Sequence, residues 1–217
     1  MNKKGEELNG TKQQKIDILS LLPEQLEKEI AAMGAPKFRA KQIFRQLHIK
    51  RVFDFSDMTE LSKQFQAELK ERFYINLPKI EKRLDSCADD TVKYLYRLSD
   101  GACIETVRMV YHHGVTACIS TQVGCKMGCK FCASAPLGFV RNLTPSEMLG
   151  QIYGTDADFP PEQQISGIVL MGIGEPLDNY ENVMQFLRLI SCKEGRNLSL
   201  RHIALSTCGL VPMIGRL

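Results

Sequence analysis

The chain has 217 residues, 44% of them hydrophobic and 24% charged, with a net charge of +3. This is the length of one or two domains and the composition of an ordinary soluble globular protein, and so small a charge does not by itself argue for nucleic acid. A secretory leader, a membrane span and a disulfide-stapled miniature scaffold are all disfavoured: the start is polar, the longest apolar run is Gly167 to Ile173, and a chain of this size can bury a core unaided.

The first fifteen or so residues are polar and predicted to fray. Pro23 suits the first turn of a helix running through Met33, which Gly34 can end. Pro36 opens a second helix, with Ala40, Ile43, Phe44 and Leu47 on its inner face. On another face Lys37, Lys41 and Arg45 repeat every four residues. From Ala35 to Phe53 there are six basic residues and no acidic one. Such a row is ordinarily a solvated face, but the acid-free window and the interleaved Phe38 and Phe44 add an RNA-binding reading. Thr59 or Ser56 is predicted to cap a third helix from Glu60 to about Phe73, with Leu61, Phe65 and Leu69 as its stripe.

Between residues 78 and 121 the pattern turns β-rich. Thr91–Leu98 and Cys103–Val110 flank Ser99-Asp-Gly101 and read as a hairpin. A second turn at His112-His-Gly114 leads to a strand over Thr116–Thr121, which ends at a cysteine loop. Thr144-Pro-Ser-Glu147 fits a capping box opening a helix to about Tyr153. Ile165–Met171 reads as a strand buried on both faces, followed by a helix from Tyr180 to Cys192, a strand at Ile203–Thr207 and a helix start at Val211. This alternation implies three parallel βα units. The division expected is a helical domain over 1–77, a hairpin extension over 78–110 and an α/β core over 111–217.

The densest chemical signal is Cys125-Lys-Met-Gly-Cys129-Lys-Phe-Cys132, three cysteines spaced C-x3-C-x2-C. Structural zinc sites and iron–sulfur cubanes usually take four protein ligands, and none follows locally. A Cys3His zinc knot would have to borrow His112 or His113. Three thiolates alone would leave one iron of a [4Fe-4S] cluster open to a small molecule. Free clustered cysteines without a leader also point to a reducing cytoplasm.

Met171-Gly-Ile-Gly-Glu-Pro176 follows the second parallel strand. The third glycine of a dinucleotide fingerprint is missing, since position 177 is leucine. The alternative is a turn whose glycines let a ligand approach the backbone. Glu175 would then present a carboxylate to an ammonium group at the strand's C-terminal end, where α/β ligands gather.

The cysteine motif, Met-Gly-Ile-Gly-Glu-Pro, Arg141-Asn-Leu-Thr and Leu205-Ser-Thr207 together resemble the radical SAM adenine-C2 methyltransferases of 23S ribosomal RNA and tRNA. The resemblance implies an α/β fold: an N-terminal helical domain, a β-hairpin linker and the first three βα units of a partial (β/α)6 barrel. It implies that Cys125, Cys129 and Cys132 ligate a [4Fe-4S] cluster. Phe131 lies near S-adenosylmethionine (SAM), and Gly174, Glu175 and Ser206 contact it. Glu105 matches the family's proton acceptor, and Cys118 the cysteine that pairs transiently in a disulfide with a methyl-carrying cysteine. Taken only as residues, Glu105 is a strand carboxylate facing solvent and Cys118 a small buried hydrophobe. Cys87, Cys103, Cys192 and Cys208 read as structural.

By the same resemblance, two SAM molecules are consumed per turnover, because C2 of adenine is an unactivated aromatic carbon that polar methyl transfer does not reach. The partners implied are 23S rRNA and tRNA presenting an unstacked adenine, and an external electron donor such as flavodoxin or ferredoxin, with no membrane and a monomer at full length. The family has about six βα units and its methyl-carrying cysteine beyond the third. No cysteine here matches that one, so the expectation is a C-terminally truncated member that does not methylate RNA alone. Two alternatives stay open: a C8-methylating resistance relative, and a non-catalytic metal-bearing RNA-binding module.

Overall fold

A computed structural model describes residues 14–217. The polar lead expected to fray lies, through residue 13, outside the described residues. Ile16–Asp17 (β1) precedes the helices Pro23–Ala32 (α1), Phe38–His48 (α2) and Lys63–Arg72 (α3), and pairs in parallel with Phe73–Tyr74 (β2) just after them. Then come Lys79–Asp85 (β3), Val92–Arg97 (β4), Cys103–Tyr111 (β5), Gly114–Cys118 (β6) and Gln122–Gly124 (β7). Phe139–Asn142 (β8), Pro145–Ala157 (α4), Gly167–Leu170 (β9), Tyr180–Ser191 (α5), Ile203–Leu205 (β10) and Val211–Ile214 (α6) complete the order.

Helix α1 begins at Pro23 and gives way to Gly34 at φ +74°, as its sequence requires. Helix α2 buries Ala40, Ile43, Phe44 and Leu47 and leaves Lys37, Lys41 and Arg45 exposed. Helix α3 departs from expectation, starting at Lys63 under a Ser62 cap whose hydroxyl accepts the Phe65 amide at 3.3 Å. The cause is Gln66, buried and donating its side-chain amide to the carbonyls of Met58 (2.9 Å) and Leu61 (3.3 Å). Those bonds hold the segment before Ser62 in turns, so neither Thr59 nor Ser56 can cap the helix.

One mixed sheet follows, in the order β10-β9-β6-β5-β4-β3. Strands β6, β9 and β10 are parallel, while β5, β4 and β3 continue the sheet antiparallel. The expected hairpin is thus part of the core sheet, which runs unbroken through residues 110 and 111. Gly101 at φ +87° makes the β4–β5 turn. Strand β3 carries no hydrophobic alternation to reveal it: all seven of its residues are exposed, and its charges suit a sheet edge.

The alternation along β4, β5, β6 and β9 divides the sheet into two faces. One holds Tyr94, Tyr96, Ile104, Ala117, Ile168 and Leu170 in the core. There Tyr96 Oη lies 2.9 Å from Thr155 Oγ1 of α4, and Thr106 Oγ1 donates to Gln151 Oε1 at 2.8 Å. The other face, with Glu105, Val107, Met109, Cys118 and Val169, is only half covered. Helix α4 has the capping box expected: the Glu147 amide donates to Thr144 Oγ1 (3.3 Å), and the Thr144 amide to Glu147 Oε2 (2.9 Å). It runs on past Tyr153 because Gly154 is a packing residue rather than a stop, a Cβ there falling 2.9 Å from the Tyr96 hydroxyl.

Candidate functional site

Parallel strands send their following loops out at one end, so the segments after β6, β9 and β10 gather there. The first contains the cysteines. Strands β7 and β8 pair antiparallel and close residues 125–138 into a loop with a stapled base. The Cys125 amide donates to Gly138 O at 2.8 Å. Gly124 sits at φ +72°, and a Cβ on it would lie 1.7 Å from that same oxygen, so only glycine closes the base. Within the loop the Cys132 amide turns back to Cys129 O at 3.1 Å. Cys125 and Cys129 are half-buried and Cys132 exposed, with Phe131 94% exposed beside it.

The second segment, Met171–Asn179, packs on the chain leaving β6. The Gly172 amide donates to Ile119 O (3.0 Å), and the amides of Thr121 and Gln122 to Ile173 O (2.9 and 3.1 Å). A Cβ at Gly172 would meet Ile119 at 2.6 Å, and one at Gly174, φ +110°, would meet Gln122 at 2.6 Å. The glycines therefore serve close approach of a neighbouring chain segment. Glu175 is not a plain solvated turn residue. It is 3% exposed, and its two carboxylate oxygens accept the amides of Leu177 (2.9 Å) and Cys208 (2.7 Å).

The third segment, Ser206–Gly209, is thereby clasped to the second. Ser206 is exposed beside it. Burial together with the Glu175 carboxylate pushes the Cys208 thiol up to about 11, which keeps it a neutral thiol at physiological pH.

Glu105 and Cys118 lie on the half-covered sheet face. Cys118 stands opposite Val107 in the β5–β6 register, and Glu105 is two residues from Val107 on the same face, making the two diagonal neighbours. The Glu105 carboxylate pairs with Lys93 Nζ at 2.7 Å, so it is not simply solvated. Burial raises the Cys118 thiol above the ordinary range.

All eight cysteines are free, so the disulfide implied for Cys118 has no counterpart here. Among the described residues no three His, Cys, Asp or Glu side chains converge as a metal-holding group. The zinc knot fails on topology as well: His112 and His113 sit in the β5–β6 turn, at the opposite end of β6 from the cysteine loop. The donor set nevertheless fits a thiolate-bound iron–sulfur cluster by its chemistry. Three unpaired thiols stand within eight residues on one anchored loop, none committed to a disulfide.

Four residues of this end escaped sequence reading: Gln122, Lys126, Asp178 and Asn179. Gln122 is fully buried, its Nε2 donating to Asn142 Oδ1 (2.8 Å) and Asp178 Oδ2 (2.9 Å) and its Oε1 accepting the Glu175 amide (2.9 Å). Asp178 also pairs with Lys126 Nζ of the cysteine loop at 2.8 Å. Asn179 Nδ2 donates to Thr121 O and Leu143 O, both at 2.8 Å. The sole sequence signal was an amide side chain inside a β-rich run at Gln122.

Comparison with known proteins bears on most of the chain. The family model described as "Ribosomal RNA large subunit methyltransferase N-terminal domain" matches residues 16–75, and that of the "Radical SAM superfamily" matches residues 119–217. A "Probable dual-specificity RNA methyltransferase RlmN" of Lachnoclostridium phytofermentans is 49% identical over 199 residues, which are 92% of this chain and 55% of the relative. Its counterpart in Alkaliphilus oremlandii is 53% identical over 201 residues, 93% of this chain and 58% of the relative. A crystal structure of a radical SAM methyltransferase from Sphaerobacter thermophilus superposes with a TM-score of 0.84 at 38% identity, covering 93% of this chain and 59% of that one. The chain thus spans little more than half the length of the proteins it matches. With both models on one chain and half the residues identical to these relatives, it belongs to the RlmN-type radical SAM RNA methyltransferase family.

Proposed function

We propose that this chain supplies the cluster- and SAM-binding part of a methyltransferase acting on C2 of adenine in 23S rRNA and tRNA. The observation that carries the reading is the stapled three-cysteine loop, facing the Gly174–Glu175 segment at the common end of the parallel strands. Because the chain spans 55–58% of these curated relatives, the methyl transfer and the RNA substrates are proposed for a protein of the relatives' length.

In this reading Cys125, Cys129 and Cys132 hold a [4Fe-4S] cluster, and the three βα units belong to a partial (β/α)6 barrel whose inner face is the half-covered one. When bound, the cluster would supply the electron that splits SAM into methionine and a 5′-deoxyadenosyl radical, whose part is to take hydrogen from a cysteine-borne methyl group so that this methyl carbon, and not the radical itself, adds to the unactivated aromatic carbon. Gly174 and Glu175 bind the methionine part of SAM. A carboxylate oxygen that already accepts one amide keeps a second lone pair for an ammonium group. Ser206 supplies a hydroxyl at the neighbouring strand end, and exposed Phe131 an aromatic face. Glu105, on the inner face, accepts the proton released from C2. Cys118, diagonal to it, is the thiol that resolves the product through a transient disulfide. Residues 1–77 form the helical RNA-binding part, with Lys37, Lys41 and Arg45 toward phosphate.

Anaerobic reconstitution with iron and sulfide, followed by reduction in the presence of SAM, tests the reading. Methionine and 5′-deoxyadenosine are the expected products. Stoichiometric zinc with no SAM cleavage would favour the non-catalytic module instead. Mass mapping of the adenine modified by the full-length protein separates C2 from C8.

A further inference from the structure

The cysteine loop and the Glu175 segment are joined by more than backbone, and the joint runs through two side chains given no role so far. Gln122 opens β7, three residues before Cys125, and is 0% exposed. Its amide is held by three partners from two segments: Asn142 of β8, and the Glu175 main chain and Asp178 of the Met171–Asn179 segment. Asp178 divides its carboxylate between this buried amide (2.9 Å) and the Lys126 ammonium (2.8 Å). Lys126 stands next to Cys125, and its ammonium also lies 5.3 Å from the centre of the Phe139 ring, at the other foot of the loop. Cys125 and Glu175 are thus connected by an unbroken path of side-chain contacts: Lys126, Asp178, Gln122, Glu175 amide.

We propose that Gln122 and Asp178 are positioning residues that set where the cysteine loop stands relative to Gly174 and Glu175. The proposal rests on the reading of that loop as the cluster loop. The physical case lies in the asymmetry of the path. Its Gln122 end is buried and fully paired, where a lost partner leaves unsatisfied polar groups behind. Its Lys126 end is half-exposed, where an ion pair is weak and salt-sensitive. A rigid anchor at the strand end and a soft tether at the loop allow the cysteines to shift when they take up a ligand, without losing register to Glu175. Outer partners of this kind orient ligands they never touch.

The primary test uses the metal-free 217-residue chain, so it does not depend on cluster chemistry. The rate at which iodoacetamide alkylates Cys125 and Cys129 is measured by peptide mass spectrometry, with exposed Cys87 as internal reference. Asp178→Asn and Lys126→Met are expected to raise the Cys125 and Cys129 rates about two- to fivefold and to leave Cys87 alone. Molar salt should raise them in the parent and have no further effect in Asp178→Asn. Gln122→Ala should act more strongly, but it strips a buried amide of its partners, so the variants at Asp178 and Lys126 carry the decision. Equal rates in parent, Asp178→Asn and Lys126→Met would overturn the proposal. In the reconstituted chain, Asp178→Asn should keep its iron while binding SAM about tenfold more weakly. Asp178→Asn binding SAM as tightly as the parent would also overturn it. If the parent takes up no iron while the alkylation rates respond as expected, the cluster reading fails and the bracket stands.

Discussion

The carboxylate of Glu175 accepts the main-chain amide of Cys208 at 2.7 Å, tying the end of β9 to the loop after β10 across thirty-three residues of sequence. A second oxygen takes the Leu177 amide, so one buried side chain organises two of the three loops at the candidate site. Glu175→Gln keeps the shape but replaces one acceptor by a donor facing an amide. It is expected to cost about 2 kcal/mol of stability, read as a lowered urea midpoint, and to abolish SAM binding. Wild-type SAM affinity in a folded Glu175→Gln protein would remove this residue from the site.

Cluster assembly gives a direct check on the three cysteines. Anaerobic reconstitution is expected to give roughly four irons per chain, and Ala at any one of Cys125, Cys129 or Cys132 to abolish the cluster. Iron content in Cys129→Ala equal to the parent's would sink the assignment. Cys87 and Cys192 lie outside the loop, and their replacement should change nothing.

The loop's base depends on glycine. Gly124→Ala places a methyl group 1.7 Å from Gly138 O at a positive φ, so strand pairing between β7 and β8 must open. A loss of about 2 kcal/mol is expected, together with faster hydrogen exchange at the Cys125 amide. An unaltered exchange rate there would show that the staple is dispensable.

Charge on α2 is tested through salt. Changing Lys37, Lys41 and Arg45 together to Gln should weaken RNA binding and flatten its dependence on salt concentration. The same slope in both proteins would return this face to plain solvation.

His48 gives the chain a pH signature. It is 1% exposed, its ring centre 4.2 Å from that of Phe44 in a tilted contact, with Nδ1 3.0 Å from the Tyr153 hydroxyl and Nε2 unpartnered. Burial lowers its pKa to about 3. Between pH 6.5 and 3 the unfolded chain therefore takes up a proton that the native chain refuses. Stability falls with pH across that window, by up to about 1.4 kcal/mol per unit. Burial raises Asp17 and Asp156, which opposes this trend, so the comparison with a non-titrating variant isolates the histidine. The stability advantage of the parent over His48→Gln should shrink as pH falls from 7 to 4. A constant difference would mean that His48 takes up its proton equally in the folded and unfolded chains, against the burial effect.

Much of this molecule is readable along the chain because the signals are local. The three cysteines, the Thr144–Glu147 capping box, the apolar run that becomes β9 and the stripe on α2 each declare themselves within a few residues, through spacing, capping chemistry or periodicity. Their family resemblance is carried by the same short motifs, and the comparisons bear it out. What the chain could not disclose depends on partners far away in sequence. β3 is a strand because β4 offers it hydrogen bonds, although its own side chains are all exposed and mostly charged. The glycines at 172 and 174 admit the neighbouring segment from Ile119 to Gln122, a use indistinguishable in sequence from a ligand's approach. Helix α3 starts late because Gln66 reaches back to two carbonyls. Gln122 is an unremarked amide until folding surrounds it with Asn142, Glu175 and Asp178. Periodicity reports which way a side chain points, whereas a buried polar group takes its role from whichever donors and acceptors the fold brings within 3 Å, and those are fixed only in three dimensions.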